Sequence, residues 1–163
     1  MTAEEVIQKL NLVPLPLEGG FFRETFRSPR YVESDIGRKS ECTAIYYLVT
    51  EKSFSLLHTV DQEEIFHFYA GSPVKMLQII DAKAVYITLG NDLSQDHHPQ
   101  VVVPRGIWQG TKLVNPFPGA WALLGCTVAP GFEYENFHMK SRKDLTDMYP
   151  SLALHIADFT YSD

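Results

Sequence analysis

Nine runs of strand-forming residues succeed one another between Phe21 and Val128, none longer than eight residues. They are Phe21–Phe26, Thr43–Thr50, Ser53–Thr59, Glu64–Tyr69, Val74–Ile80, Ala84–Leu89, Gln100–Val103, Ile107–Val114 and Trp121–Val128. Turn chemistry separates them at Gly71-Ser72-Pro73, Asp81-Ala82-Lys83, Gly90-Asn91-Asp92, Pro104-Arg105-Gly106 and Asn115 to Gly119. Many short, evenly spaced strands bury their apolar faces only against one another, which restricts the chain to a sandwich, jelly roll or barrel.

The two ends read differently. Thr2 followed by Glu5 is a capping-box pattern, and Val6, Ile7 and Leu10 supply the apolar stripe of a short helix ending before Pro14. In LVPLPLEGG, Pro14, Pro16, Gly19 and Gly20 argue against regular structure. The tail SRKDLTDMYPSLALHIADF begins with a second cap pattern, Ser141-x-x-Asp144, and predicts one or two short helices around Pro150. No repeat, linker or low-complexity tract divides the chain, so residues 1–163 are expected to form a single domain.

Composition narrows the partners. A net charge of −6 and a pI near 5.5 leave no basic stripe to neutralise phosphates, which argues against nucleic acid. Cys42 and Cys126 are too few for a disulfide framework, and no charged-then-apolar leader opens the sequence. The apolar runs are of strand length, so no membrane span is expected and cytoplasmic residence is the default. Aromatic and β-branched residues on both strand faces predict a homodimer.

Two motifs carry the chemistry. His58, Glu64 and Gly71 stand at the spacing H-x-V-x-x-x-E, six residues, G, and Pro104, Gly106 and Gln109 at P-x-G-x-x-Q. Together they resemble the paired motifs of the cupin superfamily, H-x-H-x(3,4)-E-x6-G and P-x-G-x-x-H, with Val60 and Gln109 in place of two histidines. The segments Glu18 to Ser28 (EGGFFRETFRS), Glu63 to Gly71 (EEIFHFYAG) and Trp121 to Phe132 (WALLGCTVAPGF) extend the resemblance, over nearly the whole chain, to the DUF985 branch of that superfamily. The resemblance implies an all-β, double-stranded β-helix (a cupin jelly-roll barrel) with short N- and C-terminal helices, usually dimeric. Metal-independent sugar epimerases share that barrel and use a pocket histidine as base with a tyrosine as acid.

Strand parity decides which side chains share the pocket. An inward His58 brings Leu56 and Val60 with it; an inward Glu64 brings Phe66 and Phe68 and leaves His67 outside. An inward Gln109 takes Ile107 to its side and sends Trp108 to the other. The expected cavity is apolar and aromatic, with His58, Glu64 and Gln109 as its convergent polar groups, the usual make-up of a small-molecule site. His58 and Glu64 are read either as a catalytic pair, the carboxylate tuning the imidazole as a general base, or as a structural buried pair.

At the metal positions of the resembled motifs stand His58, Val60, Glu64 and Gln109. Val60 cannot ligate and an amide oxygen is a weak ligand, so no metal and no other cofactor is expected. His67 could restore the count only through a bulge. The His97-His98 pair lies in a polar loop and reads as solvent-exposed. Further pocket candidates are Arg23, which could clasp an anionic group at the mouth, one of Tyr46 and Tyr47, and Tyr134 reaching over from a loop. Trp108 and Trp121 read as core, and Cys126 as an inert buried thiol. Three functions stay open: a metal-independent isomerase or epimerase on a sugar-like or small polar substrate, a non-catalytic ligand-binding or sensing module, and a metal-dependent isomerase or oxygenase with a reduced ligand set.

Overall fold

In the computed structural model, which describes residues 1–162, the chain opens with helix α1 (Ala3–Leu10). Thr2 caps it as its sequence predicts: the Thr2 hydroxyl accepts from the Glu5 amide, and the Glu5 carboxylate accepts from the Thr2 amide. The strands follow as β1 (Val13–Pro14), β2 (Phe21–Arg27), β3 (Tyr31–Ser34), β4 (Gly37–Ser40), β5 (Thr43–Thr50), β6 (Ser55–Val60) and β7 (Glu63–Gly71). After them come β8 (Val74–Ile80), β9 (Lys83–Leu89), β10 (Gln100–Val103), β11 (Trp108–Leu113), β12 (Trp121–Ala129) and β13 (Phe137–Met139). Helices α2 (Arg142–Met148) and α3 (Ala153–Asp158) close the described chain, and Ser141 caps α2 by accepting from the Asp144 amide.

Among the described residues the strands form a six-stranded sheet in the order β1-β2-β5-β12-β7-β10 and a five-stranded sheet in the order β13-β6-β11-β8-β9. All the ladders are antiparallel, and the crossovers between non-consecutive neighbours are those of a jelly roll. The inner faces of both sheets supply the main core, with Tyr47, Val49, Phe66, Phe68 and Leu124 opposite Val74, Met76 and Leu113.

Each sheet has a second face to cover. Leu57, Leu77, Ile79 and Trp108 point away from the barrel, and Leu145, Leu152, Ile156 and Phe159 of the helical tail bury them. Each fully buried side chain of this size contributes about 1.5–3 kcal/mol, which is what holds the tail on the sheet. On the other sheet α1 places Val6, with Leu12 just beyond it, over Leu48.

Most strand expectations agree with the structure to within two residues. Three elements were not anticipated. Val13–Pro14 pairs with Phe22 and Phe21 inside the segment expected to be irregular; at a sheet edge the missing proline N–H leaves no ladder bond broken. The β3–β4 hairpin stands apart as its own two-stranded ribbon, so its largely exposed residues lack the alternation of a half-buried strand. Phe137–Met139 adds a short edge strand to β6. Among the described residues no helix is long and apolar enough to cross a membrane.

Candidate functional site

The alternation in β7 is complete where it matters: Glu64, Phe66 and Phe68 are buried, while His67 lies on the outer face, where its ring meets the Thr127 hydroxyl at 3.2 Å. No bulge returns His67 to the interior. In β6 His58 is 2% exposed, with Leu56 and Val60 buried beside it. β11 lies between β6 and β8 and sets Gln109 in register with His58 on one side and Gln78 on the other. Trp108 turns to the helical tail as parity requires. Ladder register thus brings the two sequence motifs together as a cross-strand pair.

His58 and Glu64 are joined through Gln109. His58 Nδ1 lies 2.8 Å from the Leu56 carbonyl, and Gln109 Nε2 lies 2.8 Å from His58 Nε2 and 3.3 Å from Glu64 Oε1. A carbonyl only accepts, so Nδ1 carries the proton, and the Gln109 amide donates to the Nε2 lone pair. The expected direct contact of imidazole and carboxylate is therefore replaced by an amide bridge. The carboxylate that approaches His58 is Glu18, with Oε1 3.8 Å from Nε2. Glu18 also accepts from the Ser55 hydroxyl at 2.8 Å.

Burial dominates the electrostatics. It pushes the Glu64 carboxyl above the ordinary carboxylate range; the neighbouring His58 opposes the shift and the Glu18 charge adds to it. The Cys126 thiol, 3.6 Å from Glu64 Oε2, is pushed well up by burial and by Glu64, which leaves it a protonated, unreactive group. Tyr47 is likewise pushed well above the usual phenol range, by burial and then by Glu18, and its hydroxyl donates to the Gly19 carbonyl at 2.8 Å.

These groups border a cavity of about 110 Å³ that opens to solvent. Glu18, Glu64, Tyr47 and Cys126 line it together with apolar side chains such as Phe22, Ile45, Phe66, Val128, Phe132 and Phe137. Tyr134 stands among the lining residues, half exposed, its ring edge-on to Phe132 at 5.3 Å. The Arg27 guanidinium spans Glu24 and Glu133 at 2.9 and 2.8 Å and donates to the Phe132 carbonyl, tying β2 to the 130–136 segment.

The structure divides the remaining sequence candidates. Tyr47 faces the interior and Tyr46 the outside, where Arg23 lies over its ring at 5.6 Å. Arg23 and Tyr46 thus sit outside the cavity, and the arginine on its wall is Arg27. Arg23 pairs with the outward Tyr46, and alternation from the inward Phe22 would send Arg27 outward as well; the register shift between Glu24 and Phe26 inverts the parity of β2 and brings Arg27 alone to the wall. Phe68 and Gln109 are buried, Phe68 in the main core and Gln109 behind the cavity wall; His58, too, is set back from that wall. Of the pair at 97–98, His98 is exposed and His97 partly buried against Gly90. Glu18 was legible only as part of a family segment, since it lies outside any strand.

The residues at the resembled metal positions do not fit a metal. Val60 offers no donor atom, and Gln109 presents an N–H to His58 where a ligand would present a lone pair. Among the described residues no group of three or more His, Cys, Asp or Glu side chains could hold a metal ion.

Comparison with known proteins agrees with this architecture. A family model described as Cupin superfamily (DUF985) matches residues 4–140. The uncharacterized protein YML079W of Saccharomyces cerevisiae is 28% identical over 133 residues, 73% of this chain. That match spans 66% of the yeast protein, just under two-thirds of its length. A hypothetical protein from Leishmania major superposes with a TM-score of 0.91 at 29% identity, over 99% of this chain and 100% of that one. A Shewanella oneidensis protein gives a TM-score of 0.91 at 27% identity, over 100% of this chain and 99% of that one.

Proposed function

The chain belongs to the DUF985 family of the cupin superfamily, and from that premise we propose that its cavity binds a small organic molecule and moves a proton on it, as an isomerase or epimerase does. One observation carries the reading: Glu64 is a buried carboxyl of raised pKa on the wall of an apolar cavity that opens to solvent. A carboxyl in such a place holds its proton more readily than an exposed one, which suits a group that takes and returns a proton. Glu64 removes a proton from a carbon beside a carbonyl, and the electron pair moves onto the carbonyl oxygen. The pair returns as that carbon takes a proton, from Glu64 on the same face or, for epimerisation, from a second wall acid such as the Tyr47 hydroxyl on the opposite face. The two wall groups then regain their starting protonation by exchange with solvent. The Gln109 amide orients the carboxylate, and His58 holds the amide by accepting its other hydrogen bond. The Tyr47 hydroxyl is a further proton-bearing group on the wall.

A second reading has its own observation. Both ring nitrogens of His58 are occupied within the protein, by Leu56 and Gln109, which suits a pocket that binds without reacting. Hydrogen exchange separates the two. A panel of small hydroxy-aldehydes and hydroxy-ketones is incubated with the protein in D2O and followed by proton NMR. The proton-transfer reading expects deuterium at the carbon beside the carbonyl of at least one compound, slowed in Glu64→Gln by about 10²–10⁴-fold. Binding of a panel member without any exchange selects the binding module instead.

A further inference from the structure

Resting on the reading that this cavity takes a small molecule, we infer that its ligand is an organic cation, an amine bound in its ammonium form through Glu18 and Glu64. Four carboxylates line the cavity, from Glu18, Glu24, Glu64 and Glu133, against one guanidinium, that of Arg27. Arg27 is already shared between Glu24 and Glu133, at 2.9 and 2.8 Å. That leaves Glu18 and Glu64 with no cationic side chain of their own. The Glu18 side chain is 14% exposed, accepts from the neutral Ser55 hydroxyl, and has its nearest ring nitrogen at 3.8 Å. A carboxylate removed from water needs a counter-charge or donors in place of its hydration, and the protein supplies few.

Donor and acceptor counts point the same way. The donors of the polar centre behind and around Glu18 and Glu64, Gln109 Nε2, Ser55, Cys126 and Tyr47, are all in use. The acceptors on the wall, the carboxylate oxygens of Glu18 and Glu64, are in surplus. An ammonium brings three donors and no acceptor; a carboxylate or phosphate brings acceptors alone. The remaining wall is aromatic, with Phe66, Phe132, Phe137 and Tyr134, and π-faces attract a desolvated cation. A cavity of about 110 Å³ admits the charged head and a few carbons, any larger part of the ligand projecting past the Arg27 clasp.

The test compares three probes of nearly equal size, isobutylammonium, isobutanol and isobutyrate, by protein-observed NMR titration. The inference expects the ammonium to bind tighter than the alcohol by about tenfold or more, with shifts at Glu18, Glu64 and Phe66, and the carboxylate not to bind there. Glu18→Gln should remove most of the ammonium's advantage over the alcohol. Should that variant fail to fold, Glu64→Gln serves the same comparison, and the wild-type ranking already decides. Equal or tighter binding of isobutanol or isobutyrate overturns the inference, as does the absence of binding by all three. The deuterium-exchange experiment on uncharged carbonyl compounds judges the proton-transfer reading separately.

Discussion

Gln109 and His58 face each other across neighbouring strands with 2.8 Å between Nε2 and Nε2, and the Leu56 carbonyl on the other ring nitrogen makes this His58 Nε2 the acceptor. The amide has two orientations to choose from. As placed, its nitrogen meets two acceptors, His58 Nε2 and the Glu64 carboxylate. Turned over, it would set its oxygen against that carboxylate. A glutamine here therefore does work a histidine could not do in the same protonation state: it donates to both groups at once and keeps them apart. In the resembled motif the same position carries a histidine that ligates metal, so one substitution exchanges a ligand for a hydrogen-bonded bridge.

The buried Glu64 makes stability depend on pH. Its folded-state pKa is raised, chiefly by burial, so the folded protein keeps a proton that the unfolded chain has released. The stability this contributes is fully present below the unfolded glutamate pKa of about 4.3 and is lost as pH rises toward the folded value. Glu64→Gln removes the titration and leaves the other carboxylates alike in both proteins. Urea midpoints taken from about pH 4 to about pH 8 should show the wild type losing ground to the variant as pH rises. A constant difference across that range would mean that Glu64 titrates as it does in the unfolded chain.

Gly71, the last residue of the first motif, is needed for its backbone. It has φ +97°, and a Cβ there would lie 2.3 Å from the Trp121 carbonyl oxygen and 3.0 Å from the Ala122 Cα. The same carbonyl accepts from the Ser72 amide at 2.8 Å, so the clash falls on the bond that joins the end of β7 to β12. Gly71→Ala is expected to cost about 1–3 kcal/mol from the backbone conformation alone, with the steric clash added. Chemical denaturation of the two proteins measures it, and a loss well below that range would show that the turn relaxes freely.

The sequence was most informative where a residue's role is set by its strand. Glu64, Phe66 and Phe68 share the buried face because period two leaves no other choice, and the same rule sends Trp108 away from Gln109. The capping patterns at Thr2 and Ser141 were equally legible, since both bonds are local. What local rules could not reach was set by register and by loops. The irregularity between Glu24 and Phe26 turns Arg27 to the wall, where unbroken alternation from Phe22 would have left it outside with Arg23. Glu18 enters the cavity from a segment without strand periodicity, and only the packed barrel brings it within 3.8 Å of His58.

The outer face of the six-stranded sheet is where we expect a second copy to dock. Tyr69 and Val102 are 49% and 53% exposed on it. The Tyr69 ring stacks on His67 with a centroid separation of 6.3 Å and meets Tyr46 edge-on at 6.2 Å, and Arg23 covers Tyr46. Gly125 keeps the area flat, because a Cβ there would lie 2.3 Å from the Tyr69 hydroxyl. Within this cluster Arg23 Nε is buried without a hydrogen-bond partner. A two-fold pairing of the face would bury the rings and offer that guanidinium an acceptor, and two-fold pairs are the commonest closed assembly. Sedimentation velocity at micromolar concentration should give twice the mass of an 18.5 kDa chain. Tyr69→Asp should weaken the pairing by about 2 kcal/mol or more, roughly thirtyfold, through loss of a central aromatic and burial of a charge. Wild-type protein sedimenting as a monomer would rule the dimer out; a dimer that Tyr69→Asp leaves intact would move the interface to another face.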